Sequence, residues 1–188
     1  MTRRAGTGRL PGGGEVVWTV ADGARGRRWR SMLVEDGQLV GVLLLESSPD
    51  GALTKLELAS AAGLLTLHPE GDALHGNVVR RAGVEHVTLP WRADSILLVG
   101  PSPATAAVAA RQLASRVRVG EGRSVPGITV EIDLGIEPAT FRVARTGDRR
   151  WRFVVADTGV EAVAELDDDG IPIVPEAASW PLERAHDH

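Results

Sequence analysis

Three of the chain's five histidines, His68, His75 and His86, fall close together among short apolar runs. Imidazole titrates near neutral pH and ligates transition metals, so such a group could shuttle protons or hold an ion. Arg80-Arg81-Ala82-Gly83 reads as a hairpin turn with Val79 opposite Val84. That register sets Asn77 across from His86 and His75 across from Thr88. His75, Asn77, His86 and Thr88 then share one polar face, while Leu74, Val78, Val87 and Leu89 share the other. His68 ends the neighbouring candidate strand in Leu67-His68-Pro69. No carboxylate is placed by the sequence to orient an imidazole. The solvent face of a half-buried hairpin is therefore the simpler reading, and a His-based, metal-dependent enzyme is the alternative.

Glu165-Leu166-Asp167-Asp168-Asp169-Gly170, running on to Glu176, has the spacing of a calcium loop. Acids stand at positions 1, 3 and 5, glycine at 6 and glutamate at 12. Three features oppose it. The first ligand is Glu rather than Asp, Pro172 and Pro175 interrupt the loop, and the preceding residues alternate like a strand. An acidic hairpin turn is expected, and no metal site is assigned.

Other chemistry is excluded more directly. The chain has no cysteine, so disulfides, thiol nucleophiles and thiolate metal sites cannot occur. No serine lies in G-x-S-x-G, and H-E-x-x-H is absent. Lys55 lies in Thr54-Lys55-Leu56 without a glycine loop, so it is no phosphate-binding lysine. Gly12-Gly13-Gly14 and Gly120-Glu121-Gly122 do not sit between a strand and a helix, as a dinucleotide fingerprint must. No catalytic residue and no cofactor is assigned.

Arg27-Arg28-Trp29-Arg30 and Arg149-Arg150-Trp151-Arg152 interleave aromatic and basic residues as a nucleic-acid surface does. Each also reads as a strand start with Trp inward and arginines in water. Net charge is −4, which favours the second reading and no nucleic-acid partner. All 21 basic residues but Lys55 are arginines. Residues 1–30 hold seven arginines against Glu15 and Asp22, whereas residues 157–188 hold nine acids against Arg184. The basic end is expected to be solvated, lying against the acidic one.

These side chains need a scaffold, and the chain is long enough for one core: 188 residues, 43% apolar. No apolar run is long enough to span a bilayer, which argues against stable membrane insertion. With no apolar segment behind Arg3, Arg4 and Arg9 to serve as a secretory signal, a cytoplasmic location is expected. Short apolar segments alternate with turn residues, predicting strands near 15–20, 29–34, 39–46, 53–58, 64–68, 73–80, 84–89 and 96–99. A second set is predicted near 128–134, 140–145, 151–156, 160–166 and 171–174. Short connections imply antiparallel meanders, with no strand–helix–strand alternation. One helix is predicted over 104–115, capped by Ser102, with Ala106, Ala110, Leu113 and Val117 on its buried face. Residues 1–14 read as a flexible leader, 15–184 as one β-rich domain and 185–188 as a tail.

From Ile96 onward the order of motifs resembles the glycolipid-binding protein family, a largely uncharacterised group. Leu98-Val99-Gly100-Pro101-Ser102-Pro103-Ala104-Thr105 leads to Arg111-Gln112-Leu113 and then Val119-Gly120-Glu121. Trp151-Arg152-Phe153, the acidic Asp167-Asp168-Asp169-Gly170 turn and Pro175 before Trp180 follow in the family's order. Ala106 stands where the family has Asn, the second arginine beside Arg111 is missing, and Phe141 or Trp151 replaces tyrosine. The resemblance implies a large curved antiparallel sheet or open barrel with one main α-helix, and a lipid or glycolipid as partner.

The resulting expectation is a non-catalytic binding protein that holds an apolar or amphipathic ligand in a cavity under the curved sheet. Leu56, Leu58, Leu65 and Leu67 would line the cavity, with Trp91 and Arg111 at its rim. Thr105, in the Ser-Pro-Ala-Thr run, and His75 and His86 complete the candidate ligand-binding set. A protein-interaction module without a small-molecule ligand is the other alternative. The ligand's identity and the oligomeric state are not legible.

Overall fold

Apolar and polar residues alternate through the first half of the chain, and a half-buried strand is what such alternation builds. The computed structural model describes residues 2–10, 14–100, 102–173 and, as backbone, 182–184. It is mostly β. The strands are β1 (Thr2–Arg9), β2 (Glu15–Gly23), β3 (Gly26–Glu35), β4 (Gln38–Ser47), β5 (Leu53–Ser60), β6 (Gly63–Glu70), β7 (Ala73–Arg80), β8 (Gly83–Pro90) and β9 (Ile96–Val99). After helix α1 (Pro103–Leu113) come β10 (Gly122–Val130), β11 (Ile136–Arg145), β12 (Arg150–Val155), β13 (Glu161–Leu166), β14 (Pro172–Ile173) and β15 (Leu182–Arg184).

The strands form two sheets. The large sheet is a meander in the order β15-β1-β2-β3-β4-β5-β6-β7-β8, antiparallel throughout. The small sheet runs β14-β13-β12-β11-β10-β9. Turn chemistry sets the hairpins. Between β3 and β4, Asp36 and Gly37 take φ of 49° and 74°, the paired left-handed conformation of a tight hairpin.

The expected curved sheet and single main helix are present, with four local corrections. Residues 2–9 are no leader: they pair with β2 along their whole length. The inward-facing Gly6 lies directly opposite the bulky Trp18. Second, β9 and β10 are parallel, joined by α1 as a crossover. The unit is one strand–helix–strand element inside an antiparallel chain. Third, β10 begins at Gly122, six residues before the expected start. Pro126 sits just before the β9 pairing begins at Gly127, where a missing N–H is tolerated. Gly127 itself has no room for a side chain, since a Cβ would lie 2.3 Å from the Ile96 carbonyl oxygen. Residues 11–13, Pro101, Pro175, Glu176, Trp180 and the expected 185–188 tail lie outside the described residues.

The fourth correction concerns α1, which is buried on every side rather than along one face. From Pro103 to Leu113, only Arg111 escapes full burial. The helix touches β9, β13 and β14 of the small sheet and β4 and β5 of the large one. Ser102 stands at the N-cap, but its hydroxyl makes no capping bond. Thr105 anchors the start instead: its hydroxyl donates to the Ser102 carbonyl (2.8 Å) and accepts from the Val99 N–H (3.2 Å).

Arginines bind these layers together by donating to turn carbonyls. Arg27, expected in water, is turned inward and only 6% exposed. Its Nε and Nη2 grip both carboxylate oxygens of Asp22 (2.6 and 3.0 Å), and it donates to the carbonyls of Asp169 (2.6 Å) and Gly170 (3.2 Å) on the small sheet. Arg4 lies 2.7 Å from the Asp169 carboxylate, so the basic end does rest against the acidic one. Arg80 donates to the Asp133 and Leu134 carbonyls, and Arg145 to those of Ala114 and Val117 beyond the helix. Leu134 carries a left-handed φ of 69° with its side chain buried in the core.

Arg27→Ala would leave Asp22 and two turn carbonyls without their buried cation. We expect a loss of roughly 3 kcal/mol in urea-unfolding free energy, typical of breaking a buried pair. Arg27→Lys should recover little of it, because an ammonium cannot reach all three partners in one plane.

Candidate functional site

Strand parity decides which side chains can meet. On the large sheet, Leu43 and Leu45 of β4, Leu56 and Leu58 of β5, and Leu65 and Leu67 of β6 all point inward and are at most 1% exposed. They form direct cross-strand pairs: Leu43 with Leu58, Leu45 with Leu56, Leu58 with Leu65 and Leu56 with Leu67. The four leucines expected to line a cavity therefore stand together as one apolar surface.

Beside them the same inner face carries polar groups that the sequence did not single out. Trp18 and Trp29 pack with ring centroids 5.9 Å apart, and Arg27 lies over the Trp29 ring at 5.8 Å. Ser31 is paired with Trp18 on one side and Leu43 on the other, and Ser47 faces Arg27. Among the described residues, the indole N–H of Trp18, that of Trp29 and the hydroxyls of Ser31 and Ser47 are buried and make no hydrogen bond within the protein. An indole N–H can only donate, so each needs an acceptor oxygen from elsewhere. Left unpaired, such a group costs on the order of 1–3 kcal/mol. The inward parity of Trp18, Trp29 and Ser31 was readable from alternation. Their lack of partners was not.

The expected rim residues are more enclosed than a rim requires. Trp91 is 6% exposed, with its backbone N–H on the Asp72 carbonyl. Arg111 is half-buried and donates to the Pro49 carbonyl at 3.2 Å. Gly51, at φ +90°, lets the β4–β5 turn approach the helix there: a Cβ would meet Arg111 Cγ at 2.7 Å. In that turn the Ser48 hydroxyl, helped by backbone N–H groups, holds the Asp50 carboxyl below its ordinary range. Thr105 spends its hydroxyl on backbone, as described above. Gln112, unmarked by the sequence, ties the helix to the loop after β8 by donating to the Ala93 and Ser95 carbonyls (3.2 and 2.7 Å). Near Trp91, a shallow open cleft of about 330 Å³ is lined by Pro90, Arg92, Ser95, Ser124, Val125, Pro126 and Thr140. The leucine surface is not part of it.

The histidines occupy the opposite side of the large sheet. The register is the expected one, with Asn77 opposite His86 and His75 opposite Thr88. His86 Nδ1 lies 2.6 Å from Asn77 Oδ1, and Thr88 Oγ1 lies 3.4 Å from His75 Nδ1. His68 pairs with His75, their rings 6.2 Å apart. This face is solvated: His68 is 53% exposed, and its nearest carboxylate, Glu70, is 3.9 Å away and 77% exposed. Among the described residues, no group of three His, Asp or Glu is placed to hold a metal ion. His75 and His86 therefore cannot share a site with Leu56, Leu58, Leu65 and Leu67, because the sheet lies between them.

The acidic run forms the β13–β14 turn. Asp167 Oδ1 accepts the N–H groups of Asp169 and Ile171, both at 2.9 Å, and Gly170 takes φ of 71°. Among the described residues, no helix is long and apolar enough to cross a membrane.

No family model and no curated protein matches this chain. In fold it is similar to a solved structure of a DUF1089 family protein from Pseudomonas aeruginosa. The TM-score is 0.62 at 16% identity, over 90% of this chain and 92% of the other. At that identity the likeness concerns the fold.

With Asp167 bonded to its own turn and Asp169 held by Arg4, the carboxylates point at protein partners rather than at a common centre. Calcium titration followed by calorimetry should give no specific heat. Binding tighter than about 10⁻⁴ M, the weak end for dedicated calcium modules, would contradict this geometry.

Proposed function

We propose that the chain is a non-catalytic binding protein for an apolar or amphipathic ligand of lipid type, held against the inner face of the large sheet. The observation that carries this reading is the set of buried, unpartnered donors beside the leucine surface: Trp18, Trp29, Ser31 and Ser47. A protein interior normally pairs its polar groups. A ligand with an acyl or similar body and an oxygen-bearing end matches both halves of this surface. The leucines, at most 1% exposed beneath helix α1 and the small sheet, would take the body where that cover parts, and the indoles and hydroxyls would take the oxygen. Because Asp22 already neutralises Arg27, an uncharged oxygen such as an ester carbonyl or a hydroxyl suits the spot best. The histidine face is solvated and lacks an orienting acid, so a His-based enzyme has weaker support.

Native mass spectrometry of the purified protein tests whether a small apolar molecule is retained, and an environment-sensitive fatty-acyl probe tests binding directly. We expect saturable binding that weakens roughly 2- to 10-fold in Trp18→Phe or Trp29→Phe, the loss of one hydrogen bond. In the unliganded protein the cavity left by the smaller ring works against the gain from removing an unpaired donor, so urea unfolding of each variant without ligand separates a loss of binding from a loss of fold. No retained molecule and no probe binding, with the fold intact by circular dichroism, would overturn the reading.

A further inference from the structure

The two sheets differ in how their edges are treated. The small sheet ends in β14, two residues long, and β9, four residues long. At one end of the large sheet β1 is met by β15. At the other end β8 runs eight regular residues with no bulge against β7 and no strand beyond it among the described residues. Long open edges are templates for further pairing, and most natural sheets shorten or cover them.

We propose that β8 is a self-association edge, pairing antiparallel with β8 of a second copy about a two-fold axis at Val87. The hairpin geometry fixes which groups are free. Arg80 and Gly83 face each other across a two-residue turn and must exchange hydrogen bonds, so Gly83, Glu85, Val87 and Leu89 bond to β7. Val84, His86 and Thr88 then direct N–H and C=O groups outward, and Pro90 directs its carbonyl outward.

The strand is complementary to itself in this register. Val84 lies opposite Pro90 of the second copy, Glu85 opposite Leu89, His86 opposite Thr88 and Val87 opposite itself. Pro90 accepts from the Val84 N–H but, having no N–H of its own, leaves the Val84 carbonyl without a strand donor at each end of the seam. No like charges face each other directly, and each His86 meets a hydroxyl. Apolar surface also continues across the junction. On the outer face Leu64, Val79 and Val84 are consecutive cross-strand neighbours, 41%, 41% and 59% exposed. Pro90 of the second copy would extend that line. On the inner face, half-buried Val87 gains its own copy as a neighbour. A second copy pairs the outward backbone groups of His86 and Thr88 and the Val84 N–H and covers the exposed apolar line, whereas an unrelated strand need not match this order of residues.

Size-exclusion chromatography with light scattering on the full chain should show mass rising from 19.9 kDa toward twice that value with concentration. His86→Pro removes an outward N–H without touching the β7 ladder, and should return the protein to a monomer with its circular dichroism unchanged. Val84→Lys, at an exposed position, should weaken association at least tenfold. Amide exchange followed by NMR should slow with concentration at Val84, His86 and Thr88, while Glu85, Val87 and Leu89 stay protected throughout. A wild-type monomer at millimolar concentration would overturn the proposal. So would a dimer that survives both substitutions, since its contact would lie elsewhere.

Discussion

Helix α1 is buried on every side, so its girth sets how closely the two sheets can approach. Two sheets in direct contact lie about 10 Å apart, and a helix with large side chains would force them far wider. Alanines at 104, 106, 107, 109 and 110 keep this helix thin. The leucine surface of β4 to β6 can then pack near a helix that contributes almost no side chain of its own. A thin helix also has few groups with which to fix its position. Thr105 at one end, Gln112 near the other and Arg145 on the carbonyls beyond it supply what the alanines cannot.

Arginine's planar fork explains why it dominates the basic residues at the structural joints. Each turn that meets another layer leaves carbonyl oxygens facing inward, and a buried carbonyl requires a donor. A guanidinium offers several donors in one plane and stays charged, so one side chain can hold two oxygens of a turn while its stem packs on the core. Arg27 does this for Asp169 and Gly170, and Arg80 for Asp133 and Leu134. Whatever the origin of the arginine-rich composition, these particular positions use chemistry that lysine lacks.

Much of the large sheet was legible because its signals are local. The β7–β8 register followed from one turn and the strict period of two, and it placed His75, Asn77, His86 and Thr88 correctly. The inward leucines followed from the same period. What failed depended on distant partners. Thr2–Arg9 reads as a glycine- and arginine-rich leader until Trp18 is known to fill the space above Gly6. The parallel β9–β10 pairing leaves no local trace, since β9 is four residues long and its partner opens with Gly122, Arg123 and Ser124. The candidate binding residues fall on two sides of one sheet, because residue type and motif carry no information about parity across strands. The unpaired indoles lay beyond reach for another reason: whether a buried N–H has a partner depends on every neighbour at once.

The meander of the large sheet has a consequence for synthesis on the ribosome. Its strands pair with their immediate predecessors, so β2 to β8 can assemble as they emerge. The helix and small sheet that cover the leucines lie further along the chain, between residues 96 and 173. At ~5–20 residues per second, the nascent sheet would stand with its leucine face bare for roughly 4 to 16 s. During that interval the chain presents a wide, sticky surface to its surroundings. A holdase chaperone would find there its earliest and most accessible docking place.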